Sequence, residues 1–189
     1  GGQQSLQQAC ADKQIDVDTV LSEIQALQEV EITPTSPTAA DLIDHILRRY
    51  HEVHRQQLPE LIRMARRVEA VHRGHPQVPQ GLANHLEMME QELLDHMAKE
   101  EQILFPLLKR GGHSMVMHPI GVMRQEHLSH GAQIAKLAAL THQHEAPEQA
   151  CNTWRALYAG TQRLTDDLME HIHLENNLLF PGFELDAAN

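Results

Sequence analysis

Aromatic residues are nearly absent from this chain, at 3% of its 189 residues. Strands favour aromatic and β-branched side chains, so the shortage, beside abundant Leu, Ala, Glu, Gln and Met, points to helix. Basic residues are also scarce: 15 Lys and Arg stand against 26 Asp and Glu, for a net charge of −11. That balance argues against nucleic acid or an anionic membrane surface as a partner. Cysteine occurs twice, at Cys10 and Cys151, enough for one bridge at most and not for a secreted disulfide scaffold. No apolar run approaches membrane-spanning length and no signal peptide is recognisable, so a soluble cytoplasmic protein is expected. What is plentiful is histidine, present fifteen times. The length suits one substantial core with room for a small extra segment.

Taken in order, residues 5–12 are weakly amphipathic, and Asp16-Val17-Asp18 can cap a second short helix carrying Val20, Leu21, Ile24, Leu27 and Val30. Residues 1–32 thus read as a short helical N-terminal segment, too small to bury a core of its own. Thr33-Pro34-Thr35-Ser36-Pro37 breaks helix twice and reads as a linker. Residues 38–185 then form the main domain. Thr38-Ala39-Ala40-Asp41 fits a capping box with Asp in place of Glu. The first stripe behind it is Ala40, Asp44, Leu47, His51, His54, Leu58, Leu61, Ala65 and Val68, with Pro59 expected to kink or divide the helix. The second stripe is Leu86, Met89, Leu93, His96, Glu100, Ile103 and Leu107; the third is Val116, Ile120, Met123, His127, His130, Ile134, Leu137 and Thr141. The fourth is Trp154, Leu157, Thr161, Leu164, Leu168, His171, Glu175 and Leu178. Four such stripes joined by short turns predict an all-α, up-down-up-down four-helix bundle.

One phrase occurs twice. Residues 94–106 and 169–181 each place a histidine four positions before a glutamate and close on Leu-Phe-Pro. Four residues is about one helical turn, so His96 with Glu100 and His171 with Glu175 share a face. The closing Leu-Phe-Pro is read as packing and the start of helix exit. In antiparallel neighbours, two residues share a level when the turn lies midway between them. The midpoint of His51 and His96 falls between Arg73 and Gly74, that of His96 and His127 between Gly111 and Gly112, and that of His127 and His171 at Gln149, near Pro147. Four imidazoles and two carboxylates are therefore expected at one level, with a pseudo-two-fold axis relating the first two helices to the last two.

A lone histidine on an apolar stripe is usually a hydrogen-bonded core residue, and buried ionisable groups are costly unless paired or metal-bound. Four histidines at one level, two of them with glutamates at equal spacing, favour a metal site. His72 lies about 30 Å along the helix from His51, too far to share an ion. His54 and His130 fall on the side away from the glutamates and are expected to be core or supporting residues, with ligation left open. His45, His85, His113, His118, His142, His144 and His173 are expected to be solvated, and the methionines to fill the core. Six ligands, two of them able to bridge, suit two ions a few ångströms apart. A structural zinc site prefers one ion with four ligands, commonly cysteine, and neither cysteine is near. Imidazole suits iron, copper, zinc and nickel, while bridging carboxylate favours iron or manganese; iron fits best. Two non-haem iron ions, carboxylate-bridged and with an oxo or hydroxo bridge, leave room for small ligands such as O2, NO or peroxide.

These ligand residues, with Arg49-Tyr50-His51, residues 57–61, 99–106 and 174–181, and Cys151-Asn152-Thr153-Trp154, resemble the hemerythrin-like di-iron proteins of the repair of iron centres family. The resemblance covers about residues 1–184. It implies a bacterial cytoplasmic protein that repairs iron–sulfur clusters damaged by nitric oxide or oxidants by supplying iron, with the damaged cluster proteins as partners; the sequence itself is compatible with a monomer or a homodimer. That family's N-terminal domain carries a Cys-Cys pair directly before Gly-Gly; here the chain opens on Gly1-Gly2 and reads as a truncated or processed form. Other activities compatible with the same site are reversible O2 or NO binding, as in a carrier or sensor, and turnover as an NO reductase or peroxidase.

Overall fold

The computed structural model describes residues 7, 10, 13, 15–20, 37–112 and 114–184. The chain divides into two compact units, residues 1–37 and 38–189. In the first, Gln7, Cys10 and residues 17–20 are helical, and Asp16 accepts the backbone N–H of Thr19 at 3.1 Å as a helix cap does. Most of both expected N-terminal helices, and the linker up to Ser36, lie outside the described residues.

In the second unit, four long helices follow one another, and no described residue is in a strand. The first bundle helix comprises α1 (Ala39–Ile46), a π-helical turn (Leu47–His51) and α2 (Glu52–Val71). The second comprises α3 (Leu82–Lys99), a π turn (Glu100–Leu104) and α4 (Phe105–Lys109). A 3₁₀ turn (Ser114–Val116) leads into the third, α5 (Met117–Leu140). The fourth comprises α6 (Asn152–Leu174), a π turn (Glu175–Leu179) and α7 (Pro181–Glu184). Cross-links give the directions. Glu69 accepts from Ala83 N–H and Arg55 donates to Glu101; His85 meets the Gln133 carbonyl and His96 meets Glu126; His127 meets Asn176; Arg49 donates to Asp167 and Gln57 to the Gly160 carbonyl. Each neighbour around the ring is antiparallel.

The capping box forms: Thr38 Oγ1 accepts from Asp41 N–H at 3.2 Å, and Asp41 Oδ2 accepts from Thr38 N–H at 3.0 Å. Pro59 does not divide the first helix, which runs through it. Pro59 and Arg55 are exposed, so the Arg55 carbonyl, deprived of an N–H partner, faces water, while Leu58, Leu61, Ile62, Ala65 and Val68 hold the inner face.

The three π turns correct the expected register. In the first helix the buried residues before His51 are Tyr50, Ile46 and Ile43, whereas Asp44 and Ala40 are exposed. In the second, Leu104 and Leu108 are buried after Glu100, and Ile103 is 54% exposed. In the fourth, Leu179 is buried and Leu178 is 52% exposed. Each discrepancy is one residue, which is what an i→i+5 bond inserts: Glu52 N–H reaches Leu47 O, Phe105 reaches Glu100 O, and Phe180 reaches Glu175 O at 2.9 Å. The third helix has no π turn, and all eight residues of its stripe are buried.

Two apolar clusters result. One runs from Leu58, Leu86 and Leu93 through Leu137 to Trp154 and Leu164; the other contains Ile43, Ile46, Tyr50, Leu104, Phe105, Ile120, Met123, Leu179 and Phe180. In every helix the polar residues of interest fall between these two groups. Beneath the second cluster, Gly111 (φ 97°) and Gly112 (φ 80°) close the second helix in a Schellman turn, with Gly112 N–H on Leu107 O and Gly111 N–H on Leu108 O. A Cβ on Gly112 would lie 2.5 Å from the Phe183 ring. Gly112→Ala therefore combines left-handed strain with a clash, and is expected to destabilise by about 2–3 kcal/mol. Thermal unfolding should show this as a melting temperature lower by roughly 4–12 °C.

Candidate metal centre

His51, His96, Glu100, His127, His171 and Glu175 are all buried and meet at one level between the two apolar clusters. Their donor atoms form two groups of four, each within 4.8 Å of one another: His51, His171, Glu100 and Glu175, and His96, His127, Glu100 and Glu175. All four imidazoles point Nε2 inward. His51 Nε2 lies 3.3 Å from His171 Nε2, and His127 Nε2 lies 3.2 Å from His96 Nε2. Each carboxylate divides its oxygens between the groups. Glu100 turns Oε2 to His51 (3.3 Å) and Oε1 to His96 (3.4 Å). Glu175 turns Oε1 to His171 (3.2 Å) and Oε2 to His127 (3.1 Å). Two of the π turns begin at these glutamates and the third ends at His51, so the wider turn sits where the site's side chains leave the helix.

The residues fit a pair of cations. Neither Glu100 oxygen, nor Glu175 Oε2, has a partner in hydrogen-bond geometry, although both residues are fully buried. Two buried carboxylates demand positive charge, and the titration behaviour expresses that demand. Burial pushes His96 down, but Glu100, Glu175 and Glu126 outweigh it and bring the imidazole up to about 9. His51 is likewise raised, against burial, by Glu100, Glu101 and Glu175. Glu175, opposed by burial, is held well below the usual carboxylate range by His171 and His127. Divalent ions bound to deprotonated imidazoles meet the same demand.

Around the six stands a set of residues that the sequence pattern did not single out. Glu101 Oε1 accepts from His51 Nδ1 at 2.7 Å and is held by Arg55. Glu126 Oε2 accepts from His96 Nδ1 at 2.8 Å and is paired with Lys99. Asn176 Oδ1 accepts from His127 Nδ1 at 3.0 Å and also from Arg124 Nη1 at 3.2 Å. Arg124 can only donate, so the amide oxygen faces both groups and the imidazole must carry its proton on Nδ1. Such partners leave the Nε2 lone pair free for a metal and orient the ring. Phe105 and Phe180, from the two Leu-Phe-Pro endings, stack on His51 (5.7 Å) and His127 (6.1 Å). The helices do not exit at these prolines but continue to Lys109 and Glu184.

His54 and His130 are buried beside the site but belong to neither group of four donors. His54 stacks on His171 (5.7 Å) and His130 lies edge-on to His96 (4.9 Å). Burial, with neighbouring imidazoles adding to it, lowers them to about 3 and about 4, so both are neutral. The solvated group needs one correction: His85 is buried, with Nε2 2.9 Å from the Gln133 carbonyl. Its place in the first turn of α3 lies off the stripe, yet facing α5. His144 is half-buried against Thr161 (2.9 Å), His45, His118, His142 and His173 are exposed, and His113 lies outside the described residues. His72 sits at the far end of α2, 3.3 Å from Cys151 Sγ, and both Cys10 and Cys151 are free. Among the described residues no helix is long and apolar enough to cross a membrane.

Residues 42–183 match the model of the hemerythrin HHE cation-binding domain. The iron-sulfur cluster repair protein YtfE of Citrobacter koseri is 50% identical over 183 residues, covering 96% of this chain and 83% of that protein. YtfE of Escherichia coli O81 and of Escherichia fergusonii are each 49% identical over the same shares.

Proposed function

This chain belongs to the hemerythrin HHE cation-binding family, and from that premise we propose that it is a di-iron protein that repairs iron–sulfur clusters damaged by nitrosative or oxidative stress, by supplying iron. His51 and His171 would hold one non-haem iron ion and His96 and His127 the other as terminal ligands, with Glu100 and Glu175 each able to give one oxygen to either ion. One observation carries the reading: each buried carboxylate offers one oxygen to each histidine pair. The kinship with proteins named for cluster repair, at about half identity over nearly the whole chain, gives the activity. The partners are damaged cluster proteins, and the compartment is the cytoplasm, consistent with the acidic chain and the lack of a membrane-crossing helix among the described residues.

The chemistry supplied by a bound pair is that of exchangeable iron. The chain's part is to hold it without locking it. Four neutral imidazoles and two carboxylates bring only two negative charges, so the ions are held less strongly than in a carboxylate-rich centre. Phe105 and Phe180 cover the faces of His51 and His127, and Glu101, Glu126 and Asn176 fix their side of each ring.

The test is transfer. Iron-loaded protein, mixed with an NO-inactivated [4Fe–4S] hydro-lyase, a thiol and a sulfide source, is expected to restore activity while losing iron in step, and the metal-free protein is expected to do neither. Iron that stays bound beside an enzyme that stays inactive would overturn the proposal.

A further inference from the structure

The pseudo-two-fold axis makes the two metal positions formal equivalents, but their outer partners break the symmetry. Glu101 and Asn176 correspond, each coming directly after a bridging glutamate; Glu126 and Tyr50 correspond, each preceding a histidine. At the His96–His127 position both rings have an acceptor at Nδ1, Glu126 for one and Asn176 for the other. At the His51–His171 position only His51 has one, Glu101. His171 Nδ1 is buried and without a partner. Where Glu126 would stand, Tyr50 stacks flat on the ring (5.4 Å, 8°), and His54 stacks on it as well (5.7 Å, 29°), so neither presents a hydrogen-bonding atom to Nδ1.

This difference bears on metal affinity. An imidazole bound through Nε2 must carry its proton on Nδ1. At His51, His96 and His127 an oxygen already waits for that proton. At His171 the same tautomer buries an N–H that nothing accepts, which penalises ligation. With Nε2 free of metal, the ring can instead put its proton on Nε2 and donate to Glu175 Oε1, 3.2 Å away. His171 is thus better satisfied with its position empty than filled.

We propose that the two positions are unequal: the His96–His127 position is the retained one, and the His51–His171 position fills last and releases first. The inference rests on the di-metal reading above and assigns Glu126 and Asn176 as the positioning residues of the tight position and Glu101 as that of the labile one. A pair with one anchored and one exchangeable ion suits a protein that gives up iron one ion at a time, since the bridging carboxylates stay in place on the remaining ion.

The experiment titrates metal-free protein anaerobically with Fe(II), and separately with Co(II), and tracks release to a chelator by absorbance. Two steps of one ion each are expected, separated about 10–100-fold in affinity and release rate. His171→Ala should abolish the weak step and leave the tight one. Asn176→Leu and Glu126→Gln should weaken the tight step, and Glu101→Gln only the weak one. Circular dichroism of each metal-free variant checks folding, and with four substitutions divided between the two metal positions the loss of one still leaves a test. Two ions bound and released as one indistinguishable class, or a tight step weakened by Glu101→Gln but not by Asn176→Leu, overturns the inequality. Unequal binding of Co(II) with no uptake of Fe(II) would instead overturn the iron reading and leave the inequality standing.

Discussion

Replacing Glu175 with glutamine is expected to empty both metal positions, whereas replacing His171 with alanine empties one. The reason is the division of oxygens: Glu175 gives Oε1 to the His171 group and Oε2 to the His127 group, so one substitution weakens two ions. A histidine serves a single group. Glutamine keeps the volume and the oxygen but loses the charge, and its amide nitrogen has no lone pair to offer a metal. Loss of an outer hydrogen-bond partner already costs 10–100-fold in metal affinity, so loss of a bridging carboxylate should cost at least about 100-fold for each ion. Elemental analysis after gel filtration should find two metals per chain in the parent, close to one in His171→Ala, and close to none in Glu175→Gln. Glu100→Gln should behave as Glu175→Gln does, because Glu100 divides its oxygens in the same way. Retention of a full metal pair by either glutamine variant would show that the carboxylates do not bridge.

The six inward residues were legible because two independent regularities agreed on them. Helical spacing put each histidine on an otherwise apolar face, and the turn positions put all four at one height. The structure keeps both relations because the π turns lie at the site's edge and shift only the residues on its far side. Hence Leu58, Leu86 and Leu164 fall where the periodicity placed them, while Ile103 and Leu178 are one residue out. No pattern in the sequence announces a π turn: Ile103-Leu104 and Leu178-Leu179 are apolar pairs that fit either register. Glu101, Glu126 and Asn176 escaped notice for a different reason. They sit next to one of the six inward residues in sequence, about 100° around the helix, and their role depends on which neighbouring helix lies there. A clue existed in the repeated phrase, where the residue after the glutamate is Glu in one copy and Asn in the other. Both can accept a hydrogen bond, and both do.

Acid should unfold the metal-free protein, and His54 should be a leading cause. Its ring is fully buried, and both of its nitrogens lack a partner. Burial first, then the charges of His171 and His51, lowers it from 6.5 to about 3. The unfolded chain takes up this proton near pH 6.5 and the folded chain resists until about pH 3, so between those values the unfolded state binds more protons. The folded state's advantage is complete above pH 6.5 and is lost as the pH falls through that window, by roughly 5 kcal/mol for this group alone. His130, lowered to about 4, adds to the same slope. On the alkaline side the sign reverses. His96, raised to about 9, stabilises fully below pH 6.5 and loses its contribution as pH rises through 9. A domain is stable by only about 5–15 kcal/mol, so these opposed slopes should confine metal-free stability to a maximum near pH 6–7, with the steepest acid loss between about pH 6 and pH 4. His54→Leu removes the acid slope of this one group and with it two unsatisfied polar atoms, at little cost in packing. Urea unfolding of the metal-free protein at pH 7 and pH 5 should therefore show His54→Leu losing about 2 kcal/mol less between the two than the parent does. An equal loss in parent and variant would mean that His54 takes up no proton on unfolding, and that its isolation from water is not what the buried ring implies.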